Sequence, residues 1–199
     1  MIYDVPAIAS LARTCAPEIA TETVVPLVLT ESGGDPLQVN VNRGPRLHAG
    51  SVAEGAAVVR RYVAAGYTVD VGLAQINSAN FARLGVTVEQ AFEPCTSLRL
   101  ASIVLQQGYG LARRYYAGLD AISATYSFYN TGTLTRGIRN GYVGRVWSAA
   151  AALGSVGSPP SSAPHGISVA ATAPPVSLPV RQDAWVVGQL ASSDVEVFK

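Results

Sequence analysis

Between residues 24 and 31, apolar side chains fall at Val24, Leu27 and Val28, and the next position on that helical face is Glu31. The stretch PLVLTESGGDP thus ends an apolar helix pattern on a carboxylate, just before Gly33 and Gly34, which suit a helix C-terminus. Residues 3–15 predict an earlier helical segment, and Pro26 falls at or soon after the opening of the helix that leads to Glu31. Ser51 and Glu54 have capping-box spacing ahead of AAVVRRYVAAG, with Gly66 as its stop. Thr87 and Gln90 repeat that spacing ahead of a shorter element ended by Pro94. Leu98, Ala101, Leu105 and Ala112 predict a helix over 97–116, and Leu119, Ile122, Tyr126 and Tyr129 predict the next one. QVNVN at 38–42 and YTVDVG at 67–72 alternate as strands of a small two- or three-stranded flap. The expected fold class is α+β, mostly helical.

Periodicity stops after Leu153. GSVGSPPSSAPHGISVAATAPPVSLP is rich in Ser, Pro, Gly and Ala and carries no acidic or basic residue apart from a histidine, the composition of a disordered linker. The chain therefore divides into a folded domain over 1–153 and a Pro/Ser/Ala-rich linker and C-terminal segment over 154–199. The last stretch, WVVGQLASSDVEVFK, regains apolar residues and reads either as a partner-docking segment or as an ordinary chain end.

With 199 residues the chain has room for one domain with a real core plus this tail. Its net charge is +1 and its basic residues are scattered, so no stripe of cations exists to track phosphates, and nucleic acid is not an expected partner. No apolar run approaches the roughly 18 residues that span a bilayer. The opening MIYDVPAIASLART lacks the basic and apolar regions of a secretory signal, so an exported protein would begin here only after trimming. Two cysteines and two histidines are too few for a convincing zinc site, and no metal or cofactor is expected. If Cys15 and Cys95 pair, they close a loop of about 80 residues, for which loop-closure entropy gives about 4–5 kcal/mol and which requires an oxidising compartment. The alternative is two buried thiols.

The chemistry centres on Glu31. A carboxylate on a core-facing position loses hydration, and at a helix C-terminus it meets the partial negative charge of unpaired carbonyls; both effects raise its pKa. A carboxylic acid that keeps its proton near neutral pH is what protonating the leaving oxygen of a glycosidic bond requires. VGLAQIN places Gln75 and Asn77 in an otherwise apolar run, and FYNTG places Tyr129 and Asn130 at the end of another helix. Each alone reads as a satisfied structural group. A buried acid together with amides and an aromatic ring meets the needs of sugar recognition, which are hydrogen bonds to hydroxyl and acetamido groups and a flat face for a pyranose.

In order along the chain, ESGGDP, VGLAQIN, SFYNTG and NGYVGRV resemble the lytic transglycosylase domain of the goose-type lysozyme superfamily, and more narrowly the transglycosylases that accompany type IV secretion and conjugation systems. The resemblance covers roughly residues 5–152, including LARTCAP and FEPCTSLR, and implies a lysozyme-like helical bundle with a small β flap. It assigns Glu31 as the single catalytic acid and Ser32 as a neighbouring hydroxyl that orients substrate or water. Gln75 and Asn77 fall in the Gly-Leu-Met-Gln-Ile motif region, Tyr129 and Asn130 match an aromatic and amide pair lining the cleft, and Tyr142 matches a further cleft tyrosine. Ala74 stands where the family usually has Met, and Ile138 where many members have Glu. The implied substrate is peptidoglycan, cut between N-acetylmuramic acid and N-acetylglucosamine with a 1,6-anhydro product, in the periplasm, with secretion-system components as partners of the tail. A lysozyme-type muramidase and a non-catalytic peptidoglycan-binding assembly factor are the competing readings. Asp35, in a Gly-Gly-Asp-Pro turn, and Asp70, at the end of a strand, read as structural.

Overall fold

The computed structural model describes residues 1–155, so the linker and C-terminal segment, apart from its first two residues, lie outside the described residues. Helix α1 (Val5–Cys15) starts at Asp4, whose carboxylate accepts the Ala7 amide, and α2 (Thr21–Glu31) lies against it. Strands β1 (Gln38–Val41) and β2 (Arg46–His48), helix α3 (Val52–Ala64) and strands β3 (Val69–Val71) and β4 (Ile76–Asn77) follow. A 3₁₀ turn at Ser78–Asn80 leads into the short helices α4 (Phe81–Leu84) and α5 (Val88–Phe92). The long helix α6 (Pro94–Ala112) then packs along α7 (Gly118–Thr131). One turn, α8 (Arg136–Arg139), leads to α9 (Tyr142–Ala152), which packs along α2. The α+β, mainly helical reading holds, and no helix among the described residues is long and apolar enough to cross a membrane.

The strand content is larger than the alternation predicts. The sheet has four antiparallel strands in the order β2-β1-β3-β4, and the two extra strands are only three and two residues long, too short to alternate visibly. Its register aligns Arg46 with Asn40, Asn40 with Asp70 and Asp70 with Asn77, so one polar row crosses all four strands. The neighbouring positions Val39, Val41, Val69, Val71 and Ile76 go into the main core with Leu27, Phe92, Leu105, Tyr126 and Trp147.

Helix boundaries depart from the expectations in three places, each for a physical reason. Pro26 stands in mid-helix, where it lacks the amide to bond the carbonyl four residues back; burial among apolar neighbours on both sides of α2 offsets that loss. Pro94 does not merely end an element but occupies the first turn of α6, where its missing amide costs nothing. At α3 only half of the capping box forms: Ser51 Oγ accepts the Glu54 amide, while Glu54 Oε2 reaches past Ser51 to accept the amide of Gly50. Thr87 and Gln90 form the full reciprocal box at the start of α5.

Two apolar clusters meet at α2. Leu27 belongs to the main core, whereas Val24, Val25 and Val28 pack with Ile8, Ala12, Cys15, Leu73 and Leu98 in a second one. A helix gripped from both sides carries its last side chain inward as well, and Glu31 is 7% exposed. Cys15 and Cys95 are joined as a disulfide across the second cluster, tying the end of α1 to the first turn of α6 with Cα atoms 5.2 Å apart.

Candidate active site

The glycines that follow Glu31 turn the chain sharply. Gly33 and Gly34 both have φ in the left-handed region, at 65° and 86°. At Gly34 a Cβ would lie 2.2 Å from the carbonyl oxygen of Tyr3, and the Tyr3 amide donates to Gly34 O at 2.8 Å. Ser32 fastens the same end of the helix to the loop before β4: its hydroxyl donates to Leu73 O at 2.7 Å and accepts the Gly34 amide. Arg46 reaches over from β2 to donate to the backbone oxygen of Glu31 at 2.7 Å, satisfying a terminal carbonyl and setting a cation where the helix end is negative.

The Glu31 carboxyl opens into a cleft of about 240 Å³ lined by Thr30, Glu31, Arg46, Asp70, Gln75, Asn130, Tyr142 and Arg145. Tyr142 donates its hydroxyl to Glu31 Oε1 at 2.5 Å, which leaves Oε2 to hold the acid proton. Desolvation pushes the Glu31 pKa from 4.5 to about 8, with the Asp70 carboxylate adding to the rise. The Tyr142 hydrogen bond, Arg46 and Arg145 oppose it and are outweighed. Glu31 therefore keeps its proton at neutral pH. Burial likewise holds the Tyr142 phenol well above its ordinary value, with Glu31 the next cause, so this group donates a hydrogen bond and does not ionise.

A chain of amides aims Tyr142. Asn140 Nδ2 donates to Asn130 Oδ1 at 3.0 Å, and Asn140 Oδ1 accepts the backbone amide of Tyr142 at 3.0 Å, where α9 begins. Among the described residues Gln75 is one of two non-glycine residues with positive φ, at 52°, and its side-chain amide donates to Gly72 O at 2.8 Å and Gln38 O at 3.1 Å. Those two bonds fix the left-handed residue against the cleft wall, at a backbone cost of order 1 kcal/mol.

Of the residues singled out in the sequence, Glu31, Gln75, Asn130 and Tyr142 converge on the cleft. Ser32, Asn77 and Tyr129 do not line it. Tyr129 is wholly buried, its hydroxyl donating to Ala74 O at 2.7 Å, and Asn77 is wholly buried between Asp70 and the Ala79 amide. Their contribution is to hold the cleft wall from behind. Asp35 is structural as expected, accepting the Leu37 amide and pairing with His48 Nδ1 at 2.6 Å. Asp70, by contrast, sits mid-strand and lines the cleft, and Arg46, Arg145 and Thr30 join it unanticipated. Arg145 was within reach of sequence reasoning, three residues past Tyr142 and so on the same helical face. Thr30 immediately precedes Glu31, but nothing in the helix pattern marked it. Among the described residues no three His, Cys, Asp or Glu side chains cluster as a metal site would need.

Comparison with known proteins identifies the family of the chain. The profile of the family described as Transglycosylase SLT domain matches residues 9–146. The protein named "Protein virB1" of Agrobacterium tumefaciens (strain 15955) is 40% identical over 144 residues, 72% of this chain and 60% of that protein. "Type IV secretion system protein virB1" of Brucella abortus biovar 1 (strain 9-941) is 33% identical over 132 residues, 65% of this chain and 56% of that protein. The chain thus spans about 60% of the length of the first of these relatives and slightly less of the second. No solved structure matches it.

Proposed function

The chain belongs to the transglycosylase SLT domain family, and on that basis we propose that it is a peptidoglycan lytic transglycosylase whose single acid–base group is Glu31. The observation that carries this reading is the buried Glu31 carboxyl, bonded by Tyr142 and open to a polar cleft, a setting in which burial raises its pKa to about 8. Glu31 Oε2 gives its proton to the oxygen linking N-acetylmuramic acid to N-acetylglucosamine as the C1–O bond breaks toward that oxygen. The resulting carboxylate takes the proton from the C6 hydroxyl of the same muramic residue as O6 bonds to C1, which closes a 1,6-anhydro ring and restores the acid. Gln75, Asn130, Arg46 and Arg145 supply hydrogen-bonding groups around the reacting bond, and Ser32, Asn77 and Tyr129 act through the wall behind it.

The substrate lies outside the cytoplasmic membrane and the Cys15–Cys95 disulfide suits an oxidising compartment, so we place the protein in the periplasm. The name of the Brucella relative favours a task in a type IV secretion system, and the task proposed is local opening of the wall for such an apparatus or for a conjugation apparatus. The segment over 185–199 is the proposed contact with its components.

Mass spectrometry of soluble products from purified peptidoglycan tests the chemistry. Fragments ending in 1,6-anhydromuramic acid are expected. Reducing ends would make the protein a muramidase, and no fragments from folded protein would leave a glycan-binding assembly factor. Tyr142→Phe is expected to lower turnover about tenfold to hundredfold by freeing the Glu31 carboxyl to turn. It also removes a bond that favours the ionised acid, so the alkaline limb of the pH–rate profile should move upward. A limb that moves downward would contradict the role given to this hydroxyl.

A further inference from the structure

Asp70 is a second carboxylate in the cleft, and the reading above leaves it without a task. It is 0% exposed, in the middle of β3. In the polar row across the sheet it is flanked by two amides: Asn77 Nδ2 donates to Oδ1 at 2.7 Å and Asn40 Nδ2 to Oδ2 at 3.3 Å. No ion pair involves it among the described residues. A buried carboxylate held by neutral amides, with the Arg46 guanidinium acting on it only through space, is an expensive way to join three strands, since an asparagine would hydrogen-bond its neighbours without the cost of a buried charge. The charge itself therefore calls for a function, and it faces the same small space as Glu31.

We infer that Asp70 is a positioning residue for the reaction: its amide-clamped carboxylate stays ionised in the cleft, and its negative charge holds the catalytic proton on Glu31 until a glycosidic oxygen accepts it. This role rests on the enzymatic reading above. Two carboxylates sharing one cavity resist ionising together, and the environment decides which keeps the proton. Burial raises the Asp70 pKa from 3.8 to about 6, held there against a further rise by the Asn77, Asn40 and Asn42 side chains and the Arg46 charge, whereas Glu31 is held to about 8. Near pH 7 the pair carries one proton, on Glu31, and the charge on Asp70 also makes Glu31 a stronger base for the return step. The other charged or titratable groups facing Glu31 are Arg46 from β2, Tyr142 and Arg145 from α9 and Tyr129 from α7. The arginines favour its ionised form, and the tyrosines are neutral over this range.

The test is a carbon-13 NMR titration of Glu side-chain carboxyls in the wild type, in Asp70→Asn and in the exchange variant Asp70→Asn/Asn77→Asp. Glu31→Gln identifies the Glu31 resonance. The exchange variant keeps an amide–carboxylate pair between β3 and β4 and an acceptor for the Ala79 amide, but moves the charge to a position that does not line the cleft. A structural role for Asp70 would be restored by it. The Glu31 midpoint is expected to fall by about one pH unit in Asp70→Asn and also to fall in the exchange variant, with the alkaline limb of glycan cleavage moving alongside. If Asp70→Asn fails to fold, the exchange variant decides alone. A Glu31 midpoint that stays at its wild-type value in a folded variant overturns this inference and leaves the transglycosylase reading intact. A wild type that shows the coupled titration yet cuts no glycan overturns that reading, and with it the catalytic use of the charge.

Discussion

Glu31→Gln is expected to abolish glycan cleavage, by about 10³-fold or more, and at the same time to make the protein more stable above neutral pH. The loss follows because one group both gives and takes the proton, and Gln can do neither; general acid–base catalysis is worth about 10²–10⁴-fold per role. The gain follows from the raised pKa. In the unfolded chain Glu31 ionises near 4.5, whereas the folded protein holds its proton to about 8. Its contribution to stability is therefore full below pH 4.5 and is lost as pH rises through 8, by about 3 kcal/mol at pH 7 and 4–5 kcal/mol by pH 8.5. Asp70, raised from 3.8 to about 6, adds a loss of the same sign at lower pH in both proteins. Gln does not titrate, so the stability difference between variant and wild type should widen with pH. Urea denaturation at pH 5, 7 and 8.5 measures it, and a gap that stays constant would mean that Glu31 is already ionised in the folded protein.

Removing the cross-link has the second largest expected effect. The disulfide joins residues separated by 80 positions, and it closes a loop that contains α2, the whole sheet and α3 to α5. The Cys15→Ala/Cys95→Ala variant should lose about 2–5 kcal/mol of unfolding free energy, mostly through the larger freedom of the unfolded chain. For a domain of this size that is a fall in Tm of roughly 10 °C. Neither cysteine lines the cleft, so cleavage below the transition should persist. Thiol titration of the denatured, unreduced wild type provides the check on the premise, and two reactive groups would refute it.

How far the site could be read in advance depends on how local each signal is. Glu31 was legible because a helix period is set by neighbours three and four residues away, and because the glycines behind it mark a terminus. The reason for its burial was only partly legible: one apolar face explains Val24, Leu27 and Val28, but Val25 and Pro26 are buried as well, since α2 lies between two clusters built from distant segments. Asp70 was misplaced at a strand end because alternation in VDV says that Asp and Val point to opposite faces, not that both faces are covered. Only the register, which brings Asn40 and Asn77 alongside it, shows that the polar face is the cleft side. Asn77 and Tyr129 carried the right motif, yet their polar atoms are consumed by Asp70, the Ala79 amide and Ala74 O, contacts up to 55 residues away in sequence.

The left-handed backbone at Gln75 limits what mutation can do to this cleft. At that φ a β-branched side chain is sterically excluded and proline cannot form, while glycine, the easiest occupant, would give up both side-chain bonds to Gln38 O and Gly72 O. Few residues satisfy the backbone and the two carbonyls together. The wall of the cleft is thus the part least open to sequence drift, and adaptation to a different glycan falls to the exposed rim at Arg46 and Arg145, within the limit that Arg46 also holds the Glu31 backbone oxygen and Arg145 lies over the Tyr142 ring.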